Sequence, residues 1–117
     1  MHHVNAELRR LHSPDLDDGE VPADPSRVCI AMQALIGPRG ARGEESFAFT
    51  VVTEESLAQL GRPRWGRGLL IVDSFSWEGI KVAVEKLLRH CSGGTWSEVA
   101  NSINRFLQWE FDEYQGT

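Results

Sequence analysis

The chain has 117 residues, enough for one domain and too few for two of ordinary size. Hydrophobic residues make up 41% and charged residues 25%, a balance that excludes global disorder and allows a core to form without a covalent staple. Twelve basic against seventeen acidic residues give a net charge of −5, which argues against direct nucleic-acid binding, and no apolar run nears the ~20 residues that span a membrane. The acidic excess lies in the first half, where residues 1–60 hold ten acids against five bases.

In chain order, residues 4–11 carry Val4, Ala6 and Leu8 in alternation and read as an opening strand. Residues 13–25 follow, with three prolines, one glycine and five acids, Asp15, Asp17, Asp18, Glu20 and Asp24, and read as a long acidic surface loop. Residues 28–36 form a nearly continuous apolar run stopped by Gly37 and Pro38, which favours a central strand. Residues 46–53 alternate Phe47, Phe49 and Val51 on one face, and the Gly-rich link between these two runs suggests an antiparallel hairpin.

Thr53 is placed to cap a short helix over 54–60 with Glu54 and Glu55 in its first turn. A basic loop, 61–68, holds Arg62, Arg64, Trp65 and Arg67, and residues 69–72 form a short strand. Ser76 caps the next helix, whose apolar stripe is Trp77, Ile80, Val84, Leu87, Leu88 and Cys91. Ser92, Gly93 and Gly94 end it. Thr95 and Glu98 then form a capping box for a last helix whose buried face is expected to hold Trp96, Val99, Ala100, Ile103, Phe106 and Leu107. Residues 109–114 alternate aromatic and acidic side chains, as in a short strand or a segment laid on the core. Trp109, Phe111 and Tyr114 then face the sheet, and Glu110, Asp112 and Glu113 face outward. The order β-β-β-α-β-α-α predicts one α+β domain over 1–117, an antiparallel sheet with helices on one face.

Few of these residues suit catalysis. There is no G-x-S-x-G motif, and His90 and Cys91 are helical neighbours that point about 100° apart. No C-x-x-C or H-E-x-x-H is present, and the acidic loop lacks the calcium-loop spacing. The glycines at 37, 40 and 43 lead into a strand, whereas a phosphate cradle leads into a helix. No catalytic residue, metal ligand or cofactor is therefore expected. Residues 1–7 show no apolar signal core, so Cys29 and Cys91 are expected as reduced, buried thiols of a cytoplasmic protein. What remains is the profile of a binding module: an acidic loop, an acidic tail and Trp65 beside arginines as an interface anchor.

The chain resembles the immunity protein 8 family of bacterial polymorphic toxin systems. The resemblance rests on Leu11-His12-Ser13-Pro14-Asp15 and the acidic loop, Gln33-Ala34-Leu35-Ile36-Gly37-Pro38 and Gly43-Glu44-Glu45-Ser46-Phe47-Ala48-Phe49. It continues through Thr53-Glu54-Glu55-Ser56-Leu57, Leu70-Ile71-Val72, Trp77, Cys91-Ser92-Gly93-Gly94-Thr95-Trp96 and Trp109-Glu110-Phe111. The Arg- and Gly-rich segment 61–68 departs from the pattern. The resemblance implies a small bacterial cytoplasmic α+β protein, not an enzyme, that binds a cognate toxin domain and covers its active site or an adjacent exosite.

Nuclease toxins have basic clefts, which clustered carboxylates can meet through charge-assisted hydrogen bonds. On that ground the expected partner-binding residues are Asp15, Asp17, Asp18, Glu20 and Asp24, with Trp65, Glu110, Asp112 and Glu113 second. The protein is expected to act as a monomer or weak homodimer, with no nucleic acid and no membrane as partner. Two other readings stay open. An oligomeric scaffold predicts a self-complementary apolar patch on a strand edge, and a small ligand-binding domain predicts a deep pocket with a few convergent polar groups, Gln33 among them.

Overall fold

The computed structural model describes residues 3–59 and 68–110. The elements are β1 (Val4–His12), β2 (Cys29–Pro38), β3 (Glu45–Thr53), α1 (Glu54–Gln59), β4 (Leu69–Val72), α2 (Trp77–Leu88), β5 (Ser92–Gly93), α3 (Trp96–Ile103) and β6 (Gln108–Trp109). One mixed sheet runs β4-β3-β2-β1-β5, and β6 pairs with β3 beside this path. The α+β class expected from the sequence is therefore the observed one.

Alternation builds the sheet. Met32, Ala34 and Ile36 of β2 oppose Phe49, Phe47 and Glu45 of β3 in an antiparallel register. Their face receives Ile80, Val84 and Leu88 of α2 and Val99, Ala100 and Ile103 of α3 to form the core. Trp109 of β6 lies opposite Phe47 and stacks on it, ring centroids 6.1 Å apart. The other face, with Ala31, Gln33, Leu35, Ser46, Ala48 and Thr50, is half-buried or exposed.

The helix caps are those the sequence predicts. Ser76 accepts from the Gly79 N–H at 3.1 Å, and Thr95 from the Glu98 N–H at 3.2 Å. The second half of the capping box differs: Glu98 accepts from Gly94 N–H at 2.8 Å, one residue before the cap itself. Thr53, fully buried, accepts at Oγ1 from Ser56 N–H at 3.4 Å and from Val28 N–H at 3.2 Å, so one hydroxyl caps α1 and ties down the start of β2.

Five expectations need correcting. The sheet is not wholly antiparallel, because β4 pairs with β3 in parallel after the crossover that contains α1. A two-residue strand β5 is added, pairing with Val4 and Asn5 of β1 where the sequence suggested only a helix stop, and the short strand expected over 109–114 is β6, at Gln108–Trp109. Cys29 is exposed, because it opens β2 on the face away from the helices, while Cys91 is buried and both are free thiols. Phe106 is 50% exposed, because α3 stops at Ile103 and Asn104 Oδ1 accepts from the Trp109 N–H at 2.9 Å as the chain turns. Phe75, which the helix pattern did not select, is buried in the core and meets Trp77 edge-on at 5.5 Å.

β1 carries a bulge between Leu8 and Arg10, which leaves Arg9 unpaired in the ladder. Arg9 then reaches the β2–β3 turn, donating to the carbonyls of Pro38 and Ala41 at 2.8 Å each and pairing with Glu7 at 2.9 Å.

Candidate partner-binding surface

Local chemistry decides the path of the acidic loop. Ser13 is buried; its Oγ donates to the Ala31 carbonyl at 2.6 Å and accepts from Asp15 N–H at 3.1 Å, and an isolated bridge joins Ser13 to Leu16. This is the serine turn that Ser-Pro-Asp favours. The next turn is closed by Glu20, whose N–H donates to Asp17 O at 2.9 Å while its carboxylate accepts from Asp17 N–H at 2.8 Å. Gly19, with φ +79°, supplies the left-handed residue that turn requires. Asp24 closes a third turn, accepting from Ser26 N–H at 3.2 Å and from the Ser26 hydroxyl at 2.7 Å. Those two bonds, the hydroxyl first, hold the Asp24 carboxyl below the usual aspartate range; Arg27 adds a smaller attraction.

Two long-range bonds fasten the loop to the first residue of α2 and to the segment just before its cap. The indole N–H of Trp77 donates to the Glu20 carbonyl at 2.8 Å, and Phe75 N–H donates to the Pro25 carbonyl at 2.8 Å. The sequence placed Trp77 in the core; it packs there and anchors the loop as well. The helpers Ser13 and Ser26 were not singled out in the sequence, although Ser beside Pro or Asp in a loop is a turn signal.

The five expected loop carboxylates thus divide. Glu20 and Asp24 are spent on the loop's own turns. Asp18 pairs with Arg10 at 3.3 Å, an exposed pair that water screens. Asp15 and Asp17 are exposed, and their carboxylates take part in no hydrogen bond or ion pair among the described residues. The loop therefore leaves Asp15, Asp17 and Asp18 exposed on a backbone held by its own turns.

Glu110 behaves differently from expectation. It is half-buried on the face of the sheet away from the helices, where it accepts from Gln33 Nε2 at 2.8 Å and from Ser46 Oγ at 2.7 Å. It does not point outward, because Gln33 and Ser46 offer two donors within reach across β2 and β3. Gln33, the one polar residue in an apolar run, is thereby explained without a ligand. It lies opposite His12, the residue before the root of the acidic loop, and His12 Nδ1 is buried there without a hydrogen-bond partner among the described residues. Trp65, Asp112 and Glu113, with Arg62, Arg64, Arg67, Phe111 and Tyr114, lie outside the described residues.

A hollow of about 400 Å³ between β4, α2 and the turn after α3 has, among the described residues, Arg105 as the charged side chain in an otherwise apolar lining. A second, of about 490 Å³, is polar and lies between β1 and α2. Among the described residues no group of three or more His, Cys, Asp or Glu could hold a metal ion. No helix among them is long and apolar enough to cross a membrane.

Compared with known families, the chain matches the model described as Immunity protein 8 over residues 6–114, nearly its whole length. No curated protein and no solved structure matches it.

Proposed function

The chain belongs to the immunity protein 8 family, whose members are immunity proteins against toxins, and on that premise we propose that it neutralises a cognate toxin domain by laying its acidic loop over basic groups at the toxin's active site or an adjacent exosite. The whole chain acts as one immunity domain in the bacterial cytoplasm, by binding and without catalysis. The observation that carries the reading is the preorganised carboxylate set. Asp15, Asp17 and Asp18 face solvent on a loop held by Ser13, Glu20, Asp24 and Trp77. An ordered loop forfeits little conformational freedom on binding, and its charge speeds encounter with a basic partner. A nuclease, with its cleft lined for phosphate, is the toxin class this surface suits best.

The test is a titration against the toxin domain encoded beside this chain, at two salt concentrations. Tight 1:1 binding that weakens with salt is expected. Replacing Asp15, Asp17 and Asp18 together by Lys should weaken it by about a hundredfold or more, as lost charge pairs at such interfaces do, and flatten the salt dependence. Unchanged affinity in a folded triple variant sinks the acidic surface. No binding at all by the parent chain sinks the toxin pairing itself.

A further inference from the structure

We propose that two copies of this chain pair through the outer edge of β4, antiparallel about a two-fold axis. This goes beyond the toxin reading and does not depend on it. β4 ends the sheet, and among the described residues no strand covers its second edge. The Gly68 carbonyl accepts from Thr50 N–H at 2.7 Å, so Gly68, Leu70 and Val72 turn their backbone groups toward β3. Backbone direction alternates along a strand, so the N–H and C=O of Leu69 and Ile71 face away from the sheet.

Among the described residues nothing along β4 blunts that edge. Leu69-Leu70-Ile71-Val72 has no charge, no proline and no bulge, and Ile71 is 49% exposed. Soluble proteins commonly protect edges with such devices. This chain does so on β1, which β5 covers only at Val4 and Asn5: the open stretch carries the bulge, Arg9 and Arg10.

The pairing register follows from which groups face out. Leu69 must meet Ile71 of the second copy, and Ile71 must meet Leu69, so that four backbone hydrogen bonds form about a centre at Leu70. The ends of the strand decide in favour of a second copy over an unrelated chain. Gly68 N–H donates to the Phe106 carbonyl at 2.7 Å, which places Arg105 at the start of β4, while Asp73 follows its end. A two-fold axis brings Asp73 of the second copy to the end where Arg105 stands, and the reverse. Both residues are exposed, and neither makes an ion pair among the described residues. The hollow lined by Leu69, Leu70, Leu87 and Phe106 opens beside the same strand, and pairing extends its apolar wall with Leu70 of the second copy.

Sedimentation equilibrium or light scattering across a concentration series up to about 200 μM tests the pairing, since a micromolar dimer is fully formed there. The expected mass rises from 13.1 kDa toward twice that value. Ile71→Lys, at a position 49% exposed in the single chain, should raise the dissociation constant at least tenfold, roughly what one charge on an open edge costs. Arg105→Asp and Asp73→Arg should each weaken pairing, and the double variant should restore it, which a folding defect would not do. A parent chain that stays at 13.1 kDa throughout overturns the proposal. So does a dimer indifferent to Ile71→Lys, or a charge swap without rescue. If the chain is monomeric and Ile71→Lys abolishes toxin binding, the edge belongs to the toxin and the proposal also falls.

Discussion

The indole N–H of Trp109 and the carboxylate of Glu45 meet at 3.0 Å, and the other Glu45 oxygen accepts from the indole of Trp96. One half-buried acid at the start of β3 thus joins β6 to the first turn of α3. Trp109 is 8% exposed, so its donor has little recourse to water. Glu45→Ala strands both indole donors and should cost about 2–4 kcal/mol, the range for losing hydrogen bonds to a charged group. Glu45→Gln keeps one acceptor oxygen and should cost about half as much. Urea unfolding followed by tryptophan fluorescence measures both; equal and negligible losses would refute the bridge.

The β2–β3 turn makes a second prediction. A methyl group on Gly37 would run into the Gly43 carbonyl oxygen and lie 2.9 Å from the Arg9 guanidinium. The obstacle is partly backbone, which moves less readily than a side-chain tip. Gly37→Ala should therefore destabilise by about 1–3 kcal/mol, as overpacking does. Gly40 has open space around it and φ +78°, so Gly40→Ala meets only the backbone penalty of about 1 kcal/mol. Comparing the two urea midpoints separates collision from strain.

Thr53 makes the third. Its hydroxyl serves Val28 N–H and Ser56 N–H inside the protein. Thr53→Val keeps the volume and removes the acceptor, leaving a buried N–H without a partner at a cost of about 1–3 kcal/mol. Hydrogen exchange at the Val28 amide should speed up along with the drop in stability. An exchange rate unchanged from the parent chain would show that the bond contributes nothing.

The fourth concerns acid. Asp24 is held below the usual aspartate range, first by the Ser26 hydroxyl and then by the Ser26 N–H. A carboxyl depressed in the folded state adds stability above its unfolded pKa and loses it as pH falls through the lower, folded value. The loop's third turn should therefore loosen only in acid, below the ordinary aspartate range. Ser26→Ala should move the Asp24 titration up toward that range, as followed by carbon NMR of its carboxyl group. A titration that does not move would remove the hydroxyl as the cause.

Much of the frame was legible in the residues. Phe47, Phe49 and Val51 alternate because every second strand residue faces the core, and Ile80, Val84 and Leu88 recur because a helix returns to the same face. Capping by Ser76 and Thr95 is equally local: a hydroxyl and an amide three residues on suffice. The acidic loop could be located for the same reason, since Pro, Gly and Asp act within a few bonds.

The tertiary structure decided the rest, because its causes are distant in the chain. Which acids remain available depends on Arg10 reaching Asp18 and on Glu20 and Asp24 bonding to the loop's own turns at the surface. Glu110 is drawn to Gln33 and Ser46, 77 and 64 residues away, where alternation alone would send it outward. β5 is two residues long, too short for any period to register, and it exists because neighbouring backbone offers unpaired groups. Composition and local hydrogen bonding thus determined the elements and the acidic character of the chain. Long-range pairing of backbone and polar groups decided which carboxylates face solvent and which strands pair, because that competition is settled only when distant segments meet.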